Sequence, residues 1–235
     1  MDPTVAKRAE LRMKASLREN AIHYDRVFAY LLGIEWLAAL AVAWWISPYA
    51  WEGKTQVIHV HVWLALVLGG LLVSLPWAMA SRRPGTFVSR CTIAVAQMAM
   101  SALFIHLTGG RIETHFHVFG SLAFLAVYRD WRVLIVASVV VATEHFARGV
   151  LWPESVYGIG NPEWWRSLEH GFWVLFCDTF LVLACLKGVG QEKLVAQRQA
   201  EAELMAEAEA QRAFELRAKI DELELRLGEQ RPVSA

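Results

Sequence analysis

The chain has 235 residues, of which 56% are hydrophobic and 11 are tryptophan, and its mean hydropathy is +0.33. This composition excludes an ordinary soluble domain and predicts a membrane protein that contacts the lipid bilayer. The formal net charge is zero, so we expect no nucleic-acid partner. Cys91, Cys177 and Cys185 lie in apolar runs without CxxC spacing, so we expect no disulfide framework.

The predicted fold is all-α. Residues 1–26 are polar and basic and predict a cytoplasmic amphipathic lead-in. Residues 27–189 contain six apolar runs, each near the ~20 residues that a helix needs to cross a bilayer. The fourth run is the shortest and must borrow its flanks. The six runs cover residues 27–47, 59–79, 87–107, 115–127, 131–151 and 168–188.

Basic residues in the loops indicate the orientation. Arg82, Arg83, Arg129 and Arg132 lie in two loops on the same side, and the positive-inside rule places that side in the cytoplasm. Both termini are then cytoplasmic. The sequence thus predicts a multi-pass protein of the bacterial inner membrane.

Residues 190–235 are rich in strong helix formers and predict a coiled-coil signalling stalk. Apolar residues there alternate spacings of three and four, which is typical of the seam of a parallel homodimer. A solvated single helix is the alternative. Leu204 and Met205 fall out of phase with the seam. The stalk ends abruptly, so we expect a downstream output domain that is absent from this chain. The seam residues are Ala213, Leu216, Ile220, Leu223 and Leu227.

The histidines carry the functional prediction. With the amino terminus inside, seven of the eight histidines fall at the outer ends of five different helices, and only His23 lies elsewhere. Imidazole suits zinc, copper and iron, so we expect a transition-metal site there, mononuclear or dinuclear. The candidate ligands are His59, His61, His106, His115, His117, His145 and His170.

Carboxylates stand near these histidines and could ligate the ion or accept a hydrogen bond from a ligating ring. They are Glu113, Glu144, Glu169 and Asp178. Asp178 could instead join two helices by a hydrogen bond, which is also the reading we favour for Glu35.

Residues two apart on a helix point about 200° apart. His59 with His61, and His115 with His117, therefore cannot both face one centre from regular helix. An irregular start after Gly109 and Gly110 could bring the second pair together. We expect an inner set of His106, His115, His117, His145 and His170, joined by His59 or His61.

Two longer motifs resemble a known family. They read HFHVFGSLAFLAVYRDWR at residues 115–132 and HFARGVLWPESVYG at residues 145–158. The chain resembles the six-helix membrane sensory module of bacterial sensor histidine kinases, diguanylate cyclases and chemoreceptors. The resemblance implies a signal-input module joined to its output by a coiled coil. We therefore expect this chain to have no kinase or cyclase activity of its own.

Other functions remain open from the sequence. Haem b would need one or two axial histidines and a wide apolar slot, and would leave the remaining histidines unexplained. A membrane di-iron oxidoreductase also gathers histidines, but its HxxxH and HxxHH boxes are missing from this sequence. A transporter is disfavoured because internal repeats are not evident. The predicted mechanism is a change in metal occupancy, redox state or ligand that passes through the sixth helix to the stalk.

Overall fold

The computed structural model describes residues 2–229, with side chains described as far as residue 226. The chain is predominantly helical, in agreement with the all-α prediction. The elements are α1 (Pro3–Ile46), β1 (Tyr49–Glu52), β2 (Thr55–Ile58), α2 (Val60–Arg82), α3 (Phe87–Leu107), α4 (Ile112–Leu125), a 3₁₀ turn (Ala126–Tyr128), α5 (Trp131–Leu151), α6 (Glu154–Tyr157) and α7 (Arg166–Glu229).

Five of the described helices are long and apolar enough to cross a bilayer, namely α1, α2, α3, α5 and α7. Helix α4 has 14 residues. At 1.5 Å per residue it extends about 21 Å, which is short of a hydrocarbon core of about 30 Å. The structure thus supports several membrane-like helices, while the sixth predicted span remains a prediction.

Two compact units make up the chain. One is Ala15–Val189, and the other joins the described parts of Met1–Lys14 and Gly190–Ala235. Helix α1 begins at Pro3, where a fixed φ suits a helix start, and Asp2 caps it by accepting a 2.7 Å hydrogen bond from the Thr4 amide. It runs without a break past residue 26, the predicted end of the lead-in.

The larger unit has two apolar cores. In one, Ile93, Leu122 and Leu134 are fully buried between α3, α4 and α5. In the other, Leu32 of α1 and Met100 of α3 are fully buried. Burial on this scale fixes which face of each helix points inward. It therefore determines where the histidines at the helix ends project.

The YRDWR motif at residues 128–132 has a structural role at the ends of the helices opposite the histidines. The Tyr128 hydroxyl donates to Asp25 Oδ1 over 2.8 Å, and Asp25 Oδ2 accepts from the Gly85 amide over 2.7 Å. Asp130 caps α5 and pairs with Arg90 at 3.3 Å and Arg132 at 2.9 Å. Burial alone would raise the pKa of Asp130, but the Arg132 hydrogen bonds and both arginine charges hold it below its usual value.

A β-hairpin precedes α2 and was not predicted. Its strands pair antiparallel, with Tyr49 opposite Ile58 and Glu52 opposite Thr55. Gly53 in the two-residue loop has a φ of +62°, which glycine adopts without strain. The hairpin leads directly into His59, the N-cap residue of α2.

Candidate functional site

Three imidazoles meet at one end of α4, α5 and α7. The ring centroids of His115 and His145 are 5.5 Å apart, those of His115 and His170 are 5.3 Å apart, and those of His145 and His170 are 6.2 Å apart. His115 and His145 are only 5% and 8% exposed. We call these three side chains the inner histidine group.

One nitrogen of each ring in the inner histidine group lies against an oxygen. Nδ1 of His115 donates to the Arg111 carbonyl, and Nδ1 of His170 donates to the Arg166 carbonyl, both over 2.9 Å. Nδ1 of His145 lies 2.7 Å from Glu144 Oε2. A carbonyl can only accept, so a neutral His115 or His170 carries its lone pair on Nε2. His115 Nε2 is buried and has no hydrogen-bond partner.

Two apolar cavities flank the inner histidine group. The larger, about 520 Å³, lies between α4, α5 and α7, and all three imidazoles line it together with residues such as Phe146 and Val174. The second, about 470 Å³, lies between α4 and α7 and is lined by His115, His170 and Trp173. Both volumes are in the range of small-molecule and cofactor sites.

Asp178 lines the larger cavity but contacts a different partner. It is 5% exposed and its Oδ2 accepts a hydrogen bond from Ser138, while Oδ1 is buried without a partner. It follows His170 by eight residues on α7, a rise of about 12 Å. The structure therefore places Asp178 away from the inner histidine group, in a hydrogen bond between α5 and α7.

His117 projects in another direction from its neighbour His115. Its Nε2 lies 3.3 Å from Glu35 Oε1, and its Nδ1 lies 2.8 Å from the Ser101 hydroxyl. Gln97, which is fully buried, donates to Glu35 over 2.6 Å. Glu35 thus takes part in a helix-to-helix hydrogen bond as expected, and Gln97 and Ser101 are members of this network that the histidine pattern did not indicate.

His59, His61 and His106 form a separate outer group. The centroids of His59 and His61 are 4.3 Å apart, and those of His61 and His106 are 4.9 Å apart. Nδ1 of His106 lies 2.8 Å from the Ser155 hydroxyl, which also accepts from Arg148 over 2.8 Å. The structure therefore divides the seven predicted ligands among three places.

The carboxylates predicted beside the histidines also lie in different places. Glu144 lies beside His145 and also pairs with Arg148. Glu113 is exposed and lies 4.0 Å from Arg111, and Glu169 is exposed at the edge of the second cavity. Of these carboxylates, Glu144 lies within ion-pair distance of the inner histidine group.

The second sequence motif supplies residues that position the rings. Tyr157 stacks edge-on against His170 with centroids 5.6 Å apart, and its hydroxyl lies 2.7 Å from that of Ser167. The motif HFARGVLWPESVYG contains Arg148, Ser155 and Tyr157. The only sequence signal for the role of these residues is that the motif begins at a candidate ligand, His145.

No group of three or more His, Cys, Asp or Glu side chains within residues 2–229 has its donor atoms already arranged to hold a metal ion. The imidazoles of the inner histidine group meet edge to face or tilted.

Comparison with known proteins gives a signalling relative. Transducer protein Htr8 of Halobacterium salinarum is 36% identical to this chain over 115 residues, which are 46% of the chain and 17% of the transducer. The chain therefore spans a small part of that relative's length. No family model and no solved structure matches the chain. The similarity and the apolar helices support a membrane-associated module of a signalling receptor or transducer.

Proposed function

We propose that this chain is the membrane-embedded sensory input module of a signal-transduction receptor and that His115, His145 and His170 hold a transition-metal ion that reads the stimulus. The single observation that carries this proposal is the inner histidine group, in which imidazoles from three helices meet and His115 Nε2 is buried without a partner. The transducer relative supports the signalling role and a non-enzymatic chain.

Two of the three ring separations support the proposal of a shared ion. With a metal–nitrogen distance of about 2.1 Å, two imidazoles at tetrahedral to trigonal angles have centroids about 5.3–5.6 Å apart. Two of the observed separations, 5.3 and 5.5 Å, lie in this range, and the third is 6.2 Å. The oxygen at each Nδ1 matches the neighbours that orient ligating histidines in metalloproteins.

When bound, a copper, iron or zinc ion supplies a centre whose occupancy, redox state or small ligand can change. His170 would carry that change into α7, which continues from Arg166 to Glu229. Helix shifts of about 1–2 Å are sufficient to repack helical interfaces in known switches. Leu216, Ile220 and Leu223 are 60%, 51% and 58% exposed on the stalk, so a second copy of the chain is the partner we propose for them.

The test is elemental analysis of the wild-type chain and of the His145→Ala and His170→Ala variants, each purified in mild detergent. We expect the wild-type chain to retain about one metal ion and His145→Ala or His170→Ala to lose it. His117→Ala is the matched control, because His117 contacts Glu35 and Ser101 and not the inner histidine group. A His145→Ala chain with full metal content would exclude the proposed site.

Haem b is a second candidate, and the two cavities favour it. Apolar spaces of about 520 and 470 Å³ flank His115 and His170, as a flat macrocycle with an axial imidazole would need. The sequence argument against haem was the number of histidines, and their division among three places weakens it. A Soret band in the absorption spectrum of the purified chain would identify haem in place of a single ion.

A further inference from the structure

The first residues of α1 pack along the beginning of the stalk. Val5 and Ala9 form a buried contact with Ala200, which is fully buried, and with Leu204. Arg8 donates two hydrogen bonds to Glu207, at 2.7 and 2.9 Å, flanking this contact. We call residues 3–14 of α1, together with their contacts on α7, the clasp.

The two helices of the clasp run antiparallel. Arg8 pairs with Glu207 and Arg12 pairs with Glu203, so a step of four residues forward on α1 matches a step of four residues back on α7. Residues 5, 8, 9 and 12 share one face of a helix, as do residues 200, 203, 204 and 207. The contact therefore has the regular spacing of a helix–helix seam, with two ion pairs along it.

The clasp uses a different face of α7 from the predicted dimer seam. Heptad steps back from Leu223 and Ile220 reach Ala202 and Ala206, which are exposed. At about 100° per residue, these two alanines are centred about 130° around the helix from the four clasp positions 200, 203, 204 and 207. The clasp thus explains why Leu204 falls out of phase with the downstream seam, because Leu204 packs against α1.

Charge favours the chain's own segment over a second stalk on this face. In a parallel symmetric pair of stalks joined along this face, Glu203 and Glu207 would each face their own copy in the partner, and like charges in such positions are destabilising. Arg8 and Arg12 instead place opposite charges against both carboxylates. The two segments also belong to one chain, which raises their effective concentration.

We infer that residues 3–14 are the intramolecular partner of the proximal stalk, so that a second copy can pair only along the distal residues from Ala213 onward. The contact between residues 3–14 and α7 is seen within this single chain. The restriction of a second copy to the distal residues rests on the proposed dimer. The N-terminal segment, predicted as a separate lead-in, is then part of the proposed signalling stalk.

The test is chemical cross-linking in the full chain, in a background whose native cysteines are replaced by serine. Ala9→Cys with Ala200→Cys, oxidised with copper phenanthroline, should form a disulfide within one chain and give the mass of a monomer. Charge reversal by Arg8→Glu with Arg12→Glu should lower this yield on the order of tenfold, since two attractions become repulsions. Adding Glu203→Arg with Glu207→Arg should restore it.

Each outcome decides between alternatives. A cross-link between chains would mean that the segment docks on the partner's stalk, which would overturn the clasp. The clasp would also be overturned if neither the chain with native charges nor the fourfold variant gave a cross-link. Rescue by the fourfold variant excludes misfolding as the cause of the loss. Leu223→Cys should cross-link between copies in every version. If it does not, the proposed dimer fails while the clasp stands on its own intramolecular product.

Discussion

Two histidine pairs with the same HxH spacing adopt different arrangements. His115 and His117 both lie within α4, and the 200° between them sends one ring toward His145 and the other toward Glu35. His59 is an N-cap residue with a ψ of 145°, so helical periodicity does not apply and its ring lies 4.3 Å from that of His61. The backbone state of a single residue thus decides whether such a pair converges.

Two adjacent glycines give a matched pair of substitutions at the turn that leads into α4. Gly109 and Gly110 have φ values of +69° and +74°, but a Cβ on Gly109 meets nothing within 4 Å. A Cβ on Gly110 would clash with the Gly158 amide nitrogen and would lie 2.7 Å from the Val156 carbonyl oxygen. Both atoms are backbone, so they cannot move aside cheaply.

We therefore expect Gly109→Ala to lower the free energy of unfolding by about 1–2 kcal/mol, the strain of a left-handed alanine. Gly110→Ala should lower it by clearly more, because the Val156–Gly158 segment must move. Thermal unfolding in detergent, followed by circular dichroism, measures both. Equal losses of stability in the two variants would contradict the close backbone contact described for Gly110.

At the scale of elements, apolar run length predicted the central helices well. α3 and α5 occupy residues 87–107 and 131–151, the bounds expected from the sequence. The hairpin was missed because its strands of four residues are too short to show a pattern, and their tryptophan and tyrosine resemble interfacial anchors. The prediction of a separate lead-in did not anticipate that one helix would span residues 3–46.

The clasp between α1 and α7 should depend on pH. The hydrogen bond from Arg8 holds the pKa of Glu207 below its usual value. A carboxylate whose pKa is lowered by folding contributes stability above its unfolded pKa of about 4.3, and loses that contribution as the pH falls through the folded pKa. The clasp should therefore weaken below about pH 4.

Spin labels on exposed Lys7→Cys and Arg198→Cys report this change as a longer and broader distance distribution at low pH. Glu207→Gln should show a weaker clasp at neutral pH and a smaller response to acid, because its side chain is neutral throughout. An unchanged distance from pH 7 to pH 3 in the wild-type chain would count against the ion pairs as a source of the contact.

At the scale of the whole molecule, the proposed receptor needs two separable properties, a metal centre and a dimeric stalk. The inner histidine group lies within residues 15–189, and the seam residues lie beyond residue 190. Leu227, the last predicted seam position, has a side chain outside the described residues. A substitution in the seam should therefore leave the proposed metal site intact.

Leu223→Glu should weaken dimerisation on the order of 100-fold, because each dimer would bury two unpaired carboxylates in its seam. Leu225→Glu is the control, since Leu225 lies about 200° around the helix from Leu223 and is also an exposed leucine. Light scattering of the detergent complexes gives the mass, and elemental analysis gives the metal content. Loss of metal in Leu223→Glu would mean that the two properties are not separable.

The sequence by itself determined the helical class, the bounds of α3 and α5 and the gathering of histidine positions at helix ends, because apolar run length and hydrogen-bonding needs in a bilayer are local properties. It could not determine which imidazoles meet. That depends on the rotation of each helix about its axis, which is set by packing between residues far apart in the chain, such as Ile93 against the core of α4 and α5. For the same reason the sequence did not predict the clasp, since Arg8 and Glu207 are 199 residues apart and come into contact only in the folded chain.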